Sequence, residues 1–307
     1  MASVTLAESA KLSQDLLIAG VIENIVTVNP IYEVMPFMSI EGNALAYNRE
    51  NALGDVQFAG VGTAITAKAA ATFTPVTSSL TTIIGDAEVN GLIEATRSNF
   101  VDQTATQVAS KAKSVARQYQ NTMINGDGTL NSFTGLLSLV PASQKGLLSG
   151  ENGSNLSFEI LDELMDLVKD KDGACDYIMM PARTRRAYYA LLRGVGGASI
   201  AEVITLPSGR QVPTYNGVPI FVNDWIPTNQ TKGTAAGICT TIFAGTFDDG
   251  SGQHGISGLT ASRNAGISVK NIGEKEDADE EITRVKFYCG FANFSQLGIA
   301  AADGIKN

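Results

Sequence analysis

Small apolar side chains recur at steps alternating between three and four through Val101, Ala105, Val108, Ala112, Val115, Tyr119 and Met123. That spacing lines them up on one narrow stripe of a 3.6-residue period. The pattern predicts a helix from about Ser98 to Ile124, roughly 40 Å long at 1.5 Å per residue. So long a helix with so slim and alanine-rich a stripe fits a strut lying on a sheet better than the centre of a compact bundle. It runs into Asn125-Gly126-Asp127-Gly128-Thr129 and then Thr134-Gly135-Leu136-Leu137. Gly126 is expected in the left-handed conformation that ends a helix, with Gly128 turning the chain again at once.

The glycines of that exit turn do not make a ligand site. Gly126-x-Gly128 lacks the third glycine of a dinucleotide fingerprint, because Asn131 stands there, and it follows a helix instead of a strand. No Gly-Lys-Ser/Thr occurs, so there is no P-loop. Asn125-x-Asp127-x-Thr129 imitates the start of a calcium loop, but Leu130 replaces its turn glycine and Leu136 its bidentate glutamate. The single histidine, His254, lies in Gly250-Ser251-Gly252-Gln253-His254-Gly255 with no cysteine near. A triad or zinc site there would need partners that no local motif supplies, so it reads as an exposed loop residue. No catalytic, cofactor or metal-binding residues are expected.

Before the helix, Leu12, Leu16, Leu17, Val21, Ile22 and Ile25 fit a short amphipathic helix that becomes extended through Asn29-Pro30 and Met35-Pro36. Nothing close in sequence offers it a core, so it docks elsewhere or on another chain. Ala44–Glu50 then reads as a strand, with Tyr47, Arg49 and Glu50 on it, and Thr72–Thr77, carrying Phe73, as its return. The tract from Ala52 to Ala71 is rich in Gly, Ala and Thr, with only Asp55 and Lys68 charged. A two-stranded ribbon is marginal alone, so a neighbouring subunit is its natural support. A disordered insertion is the other reading of that composition.

After the helix, Ser157 caps a second helix that buries Ile160, Leu161, Leu164, Leu167 and Val168. Tyr177–Met180 is a short buried strand, and Pro181 opens a third helix ended by Gly194. Val218–Val222 and Cys239–Ala244 follow as core strands. Gly266–Ile272 and Ile282–Phe294 close the chain around an acidic turn. The order indicates a mixed helix-and-sheet protein of α+β class. At 307 residues, 44% hydrophobic and 17% charged, the chain can fill one large domain or two modest ones.

Charge narrows the partners. The net charge is −9, with Lys and Arg numbering 22 against 31 Asp and Glu, which argues against a nucleic-acid-binding surface. An acidic wall can nevertheless enclose DNA, since repulsion lets the polymer slide. Arg183, Arg185, Arg186 and Arg193, interleaved with Tyr188 and Tyr189, admit phosphate contact, a solvated helix face or salt bridges between subunits. Glu274, Glu276, Asp277, Asp279, Glu280 and Glu281, broken by Lys275, admit a cation, a basic neighbour or a solvated turn. The three cysteines, Cys175, Cys239 and Cys289, leave one unpaired in any disulfide scheme and read as reduced core thiols. No apolar run suffices to cross a bilayer, and the first residues lack the basic and apolar regions of a secretion signal, so folding in cytoplasm is expected.

In order and spacing, this layout resembles the tailed-bacteriophage major capsid protein family over essentially the full chain. Residues 1–39 resemble its N-arm, 40–84 its E-loop hairpin, and Ser98–Ile124 the spine helix of a P-domain spanning 85–150. Asn125–Thr129 followed by Gly135-Leu136 is similar to the turn after that helix. Met180-Pro181 with Ala190-Leu191-Leu192, and Asn216-Gly217-Val218-Pro219-Ile220-Phe221-Val222, resemble pieces of an A-domain spanning 151–265. Gly245-Thr246-Phe247-Asp248 resembles the family's Gly-x-Phe turn. Residues 266–307 resemble P-domain strands and a C-terminal end returning to the A-domain through Ala300-Ala301-Ala302-Asp303-Gly304.

The resemblance implies a shell subunit that self-assembles as hexamers and pentamers into an icosahedral virion capsid. It implies a portal, double-stranded DNA enclosed without sequence-specific binding, room for a decoration protein, and no membrane. Because the arm-like segment begins almost at Met1, scaffolding is expected from a separate protein. Lys68 is the only lysine of the hairpin, but the strand that would offer the asparagine of an isopeptide link begins Glu281-Ile282-Thr283, so non-covalent linkage is expected. Candidate interface residues are Leu16, Leu17, Ile22, Tyr47, Arg49, Glu50, Lys68, Phe73, Arg185, Arg186, Glu276 and Asp277. The rival readings are an encapsulin-type compartment, which shares the fold, and a soluble hydrolase.

Overall fold

The computed structural model describes residues 29–97, 102–129, 131–195 and 202–306. Leu16, Leu17 and Ile22 lie outside the described residues. The strut helix is α2, Gln103–Asn125; a short α1, Gly91–Arg97, precedes it and a single turn, α3 (Leu136–Leu139), follows it. α2 starts later than the periodicity indicates. Asp102 caps it by accepting from the Ala105 amide at 2.8 Å, and a short polar side chain at that place satisfies amides the first turn leaves free.

The five-stranded sheet under α2 is organised by one long strand, β13 (Ala278–Asn293). Residues 280–289 of β13 pair antiparallel with β4 (Thr81–Asn90) on one side. On its other side β13 pairs with β12 (Ile267–Lys275) and β11 (Ile256–Ala261), and β1 (Phe37–Ile40) joins β11 in parallel. The acidic segment is therefore mostly strand: only Glu276 and Asp277 form the turn between β12 and β13.

The helix stripe meets this sheet over part of its length. Val115, Tyr119 and Met123 are buried, Val108 and Ala112 pack partly, and Ala105 is exposed. Tyr119 is the hub. Its ring lies 5.4 Å from Phe287, 5.5 Å from Phe133, 5.9 Å from Phe37 and 6.4 Å from Tyr32. Ile31 and Met35 enter the same core, so the end of the arm-like segment docks on its own chain.

A second sheet runs in the order β14 (Ile299–Ile305), β10 (Ala235–Gly245), β5 (Tyr177–Met180), β8 (Val218–Val222), β7 (Gln211–Tyr215) and β6 (Val203–Thr205), with β9 (Gln230–Lys232) on β10. Its two faces explain the unbroken apolar run Tyr-Ile-Met-Met. Ile178 and Met180 face a cluster built by α4 (Phe158–Asp166) and α5 (Ala182–Gly194), while Tyr177 and Met179 face the core shared with α2. Ser157 caps α4 as its sequence indicates, accepting from the Ile160 amide.

Two expectations change. Gly126 is extended (φ −60°, ψ 135°), not left-handed. Its lack of a side chain is needed for space: a Cβ would sit 2.2 Å from the Phe133 carbonyl oxygen. The exit turn also folds back on itself before the chain leaves. Asp127 bridges to Thr134 and the Gly135 amide donates to the Gly126 carbonyl at 2.8 Å, while Gly128 takes the positive φ of 76°. Finally, the sheets do not follow the boundaries at 39, 84 and 265. β1, the start of β4, and β11 all belong to the five-stranded sheet, because β13 is long enough to gather partners from distant segments.

Candidate assembly surfaces

The ribbon of β2 (Ala44–Ala52) and β3 (Thr72–Ser79) pairs from Ala44↔Ser79 to Ala52↔Thr72 and lies outside both sheets. Its root is fixed within the chain. Leu45 and Tyr47 lean on a small cluster of Ile40, Leu259, Ala292 and Phe294, with the Tyr47 ring 5.2 Å from Phe294. Tyr47 donates to the Asn293 carbonyl at 2.8 Å. Arg49 donates to the carbonyls of Phe294 (2.9 Å) and Asn293. Glu50 lines the same groove without such an anchor and is exposed. Tyr47 and Arg49 thus spend their polar groups on their own subunit.

Beyond the root the ribbon turns outward. Phe73 is 62% exposed and Lys68 is exposed. Between the strands, Leu53, Val56, Phe58, Val61 and Ile65 all stand open, Val56 at 89% and Phe58 and Val61 fully. Contiguous exposed apolar side chains at the end of a projecting element mark a contact with another surface. Sequence reasoning singled out the strands here and missed these tip residues; the low charge of the tract was the signal for them.

The charged candidates fall on two other faces. Arg185 is half-buried and Arg186 exposed on α5, whereas Arg183 donates to the carbonyls of Thr228 (3.2 Å) and Ile238 (2.9 Å) and so braces its own fold. Glu276 and Asp277 are exposed at the β12–β13 turn, and Lys275 neutralises Glu280 beside them at 3.4 Å. These patches lie on separate elements and are not brought together into one site.

His254 corrects its sequence reading. Its Nδ1 lies 2.8 Å from the buried carboxylate of Asp170, which also accepts from the Gly255 amide at 2.9 Å. The adjoining Lys171 reaches the Phe247 carbonyl and Asp176. This knot ties the end of α4 to the loop entering β11. Its partner is 84 residues away, which no local motif could reveal. Burial pushes the Cys175 thiol up to about 11 and the Cys289 thiol up to about 12, so neither is ionised at neutral pH. Among the described residues no group of three or more His, Cys, Asp or Glu could hold a metal, and no helix is long and apolar enough to cross a membrane.

A strut helix on a sheet, a second sheet sharing its core, and a projecting apolar ribbon make the geometry of a subunit built to contact copies. The model of the phage capsid family matches residues 12–253. The chain belongs to the phage capsid family. No curated protein sequence matches it. Among solved structures, it is similar to an encapsulin of the holo-SrpI complex from Synechococcus elongatus PCC 7942, with a TM-score of 0.73 and 17% identity over 99% of this chain and 97% of that one. It is likewise similar to the capsid of a native GTA particle, with a TM-score of 0.68 and 13% identity over 99% of both chains. The capsid of Myoviridae phage XM1 matches with a TM-score of 0.63 and 11% identity over 99% of this chain and 100% of that one. At such identities the likeness is one of fold. As a phage capsid protein, the chain is a structural, non-enzymatic component of the virion shell. The hydrolase reading falls.

Proposed function

We propose that this capsid protein builds an icosahedral shell from hexamers and pentamers of itself around double-stranded DNA, in the cytoplasm of the bacterial host. A separate scaffolding protein guides assembly, a portal admits the DNA without sequence-specific contacts, and a decoration protein can bind outside. Subunits hold together without covalent links. The observation that carries this reading is the ribbon: Val56, Phe58, Val61 and Phe73 find no cover on their own subunit, and a neighbour supplies it. Repeated over every copy, such contacts supply apolar cohesion. The exposed charges of Arg186, Glu50, Lys68, Glu276 and Asp277, with the half-buried Arg185, then lie at polar rims.

Expression of the chain alone and with its scaffolding partner, followed by electron microscopy, tests this: closed shells of uniform size with pentameric vertices are expected. A ladder of covalent multimers on denaturing gels would overturn the non-covalent linkage. A second reading, an encapsulin-type compartment, draws on the likeness to the Synechococcus structure. Purified native particles discriminate. Nuclease-protected double-stranded DNA supports the phage shell, and co-purified protein cargo without DNA supports the compartment.

A further inference from the structure

The backbone ladder of the ribbon stops at Ala52↔Thr72, yet the chain beyond it remains folded back on itself. Three rungs hold it. The Asp55 amide donates to the Ala69 carbonyl at 3.0 Å, and the Thr63 amide closes a turn on the Gly60 carbonyl at 3.1 Å. Val61 and Gly62 are the central residues of that turn, and Gly62 takes the φ of 81° that its third position favours. Between these rungs the connection is made by one side chain. Gln57 Nε2 donates to the Ala64 carbonyl at 3.0 Å, while Oε1 accepts from the Thr66 amide (2.7 Å), the Thr66 hydroxyl (2.7 Å) and the Ala67 amide (2.8 Å).

A carboxamide offers the same donor and acceptor groups as a peptide unit. Its backbone partners fix its orientation, since a carbonyl only accepts and an amide N–H only donates. From Leu53 to Ala71 the only polar side chains are Asp55, Gln57, Thr63, Thr66 and Lys68, and only Gln57 combines a carboxamide with this reach. We propose that Gln57 is a positioning residue for assembly, replacing the missing ladder so that Phe58 and Val61 are held projecting before any neighbour arrives. A tip ordered in advance loses less conformational freedom on docking. The proposal rests on the reading that the ribbon tip docks on another copy of the chain.

Hydrogen exchange on the full-length chain kept unassembled, combined with shell yield, tests it. Gln57→Ala is expected to speed exchange at Thr66 and Ala67 about tenfold, leave the amides of β2 and β3 unchanged, and slow shell formation. Gln57→Glu keeps an acceptor for Thr66 and Ala67 but sets a carboxylate oxygen against the Ala64 carbonyl, so it should restore only part of the protection. Unchanged exchange in Gln57→Ala overturns the brace. Faster exchange with normal shell formation overturns its positioning role. The double variant Phe58→Ser/Val61→Ser should keep normal exchange at Thr66 and Ala67 and lose assembly; if it assembles normally, the docking reading fails instead.

Discussion

Tyr119 on the spine helix is 4% exposed and surrounded by four aromatic rings of its own chain, whereas Phe58 on the ribbon tip is fully open. Both lie in long segments poor in bulky residues. They differ in where their partners are. The helix crosses a sheet gathered from residues 37–40, 81–90 and 256–293, so its stripe is covered within the subunit. The ribbon leaves that body beyond Tyr47 and Arg49, so only its root is covered. The lesson is a division of labour: subunit stability resides in the first region and, on the proposed function, shell cohesion in the second.

The division makes ordered predictions. Tyr119→Ala removes the hub of the shared core and should cost about 3–5 kcal/mol in urea unfolding of the unassembled subunit. A much smaller loss would mean that the core does not depend on this ring. Gly126→Ala drives a Cβ against backbone oxygens of Phe133 and Thr122 and should cost about 1–3 kcal/mol in the same measurement. At the root, where the two regions meet, Arg49→Ala should weaken the ribbon locally by about 1–2 kcal/mol, read as faster exchange in β2 and β3 with global unfolding nearly unchanged.

A smaller effect concerns pH. The bidentate hydrogen bonds from Arg284 hold the Asp86 carboxyl below its ordinary value across the β4–β13 rung. Because the folded value is lowered, this contribution is complete above the ordinary carboxylate range and is lost as pH falls through the folded value. Urea midpoints measured downward from about pH 5 should therefore fall less steeply in Asp86→Asn than in the parent chain. Least of all, Phe73→Ser should change subunit stability by no more than about 0.5 kcal/mol while shell yield drops. A large loss of subunit stability there would break the contrast between ribbon and body.

The long helix, the cap at Ser157, the buried strand Tyr177–Met180 and the ribbon strands were legible in the residues, because periodicity, capping chemistry and unbroken apolar runs are local signals. The extended Gly126, the gathering of β1, β4 and β11 onto β13, the knot of His254 with Asp170 and the carboxamide rung of Gln57 were decided by tertiary structure. Each depends on a neighbour in space whose identity or distance no local pattern specifies. Local pattern determined which segments could bury themselves; the fold chose their partners, leaving the apolar side chains of the ribbon tip without cover in the subunit.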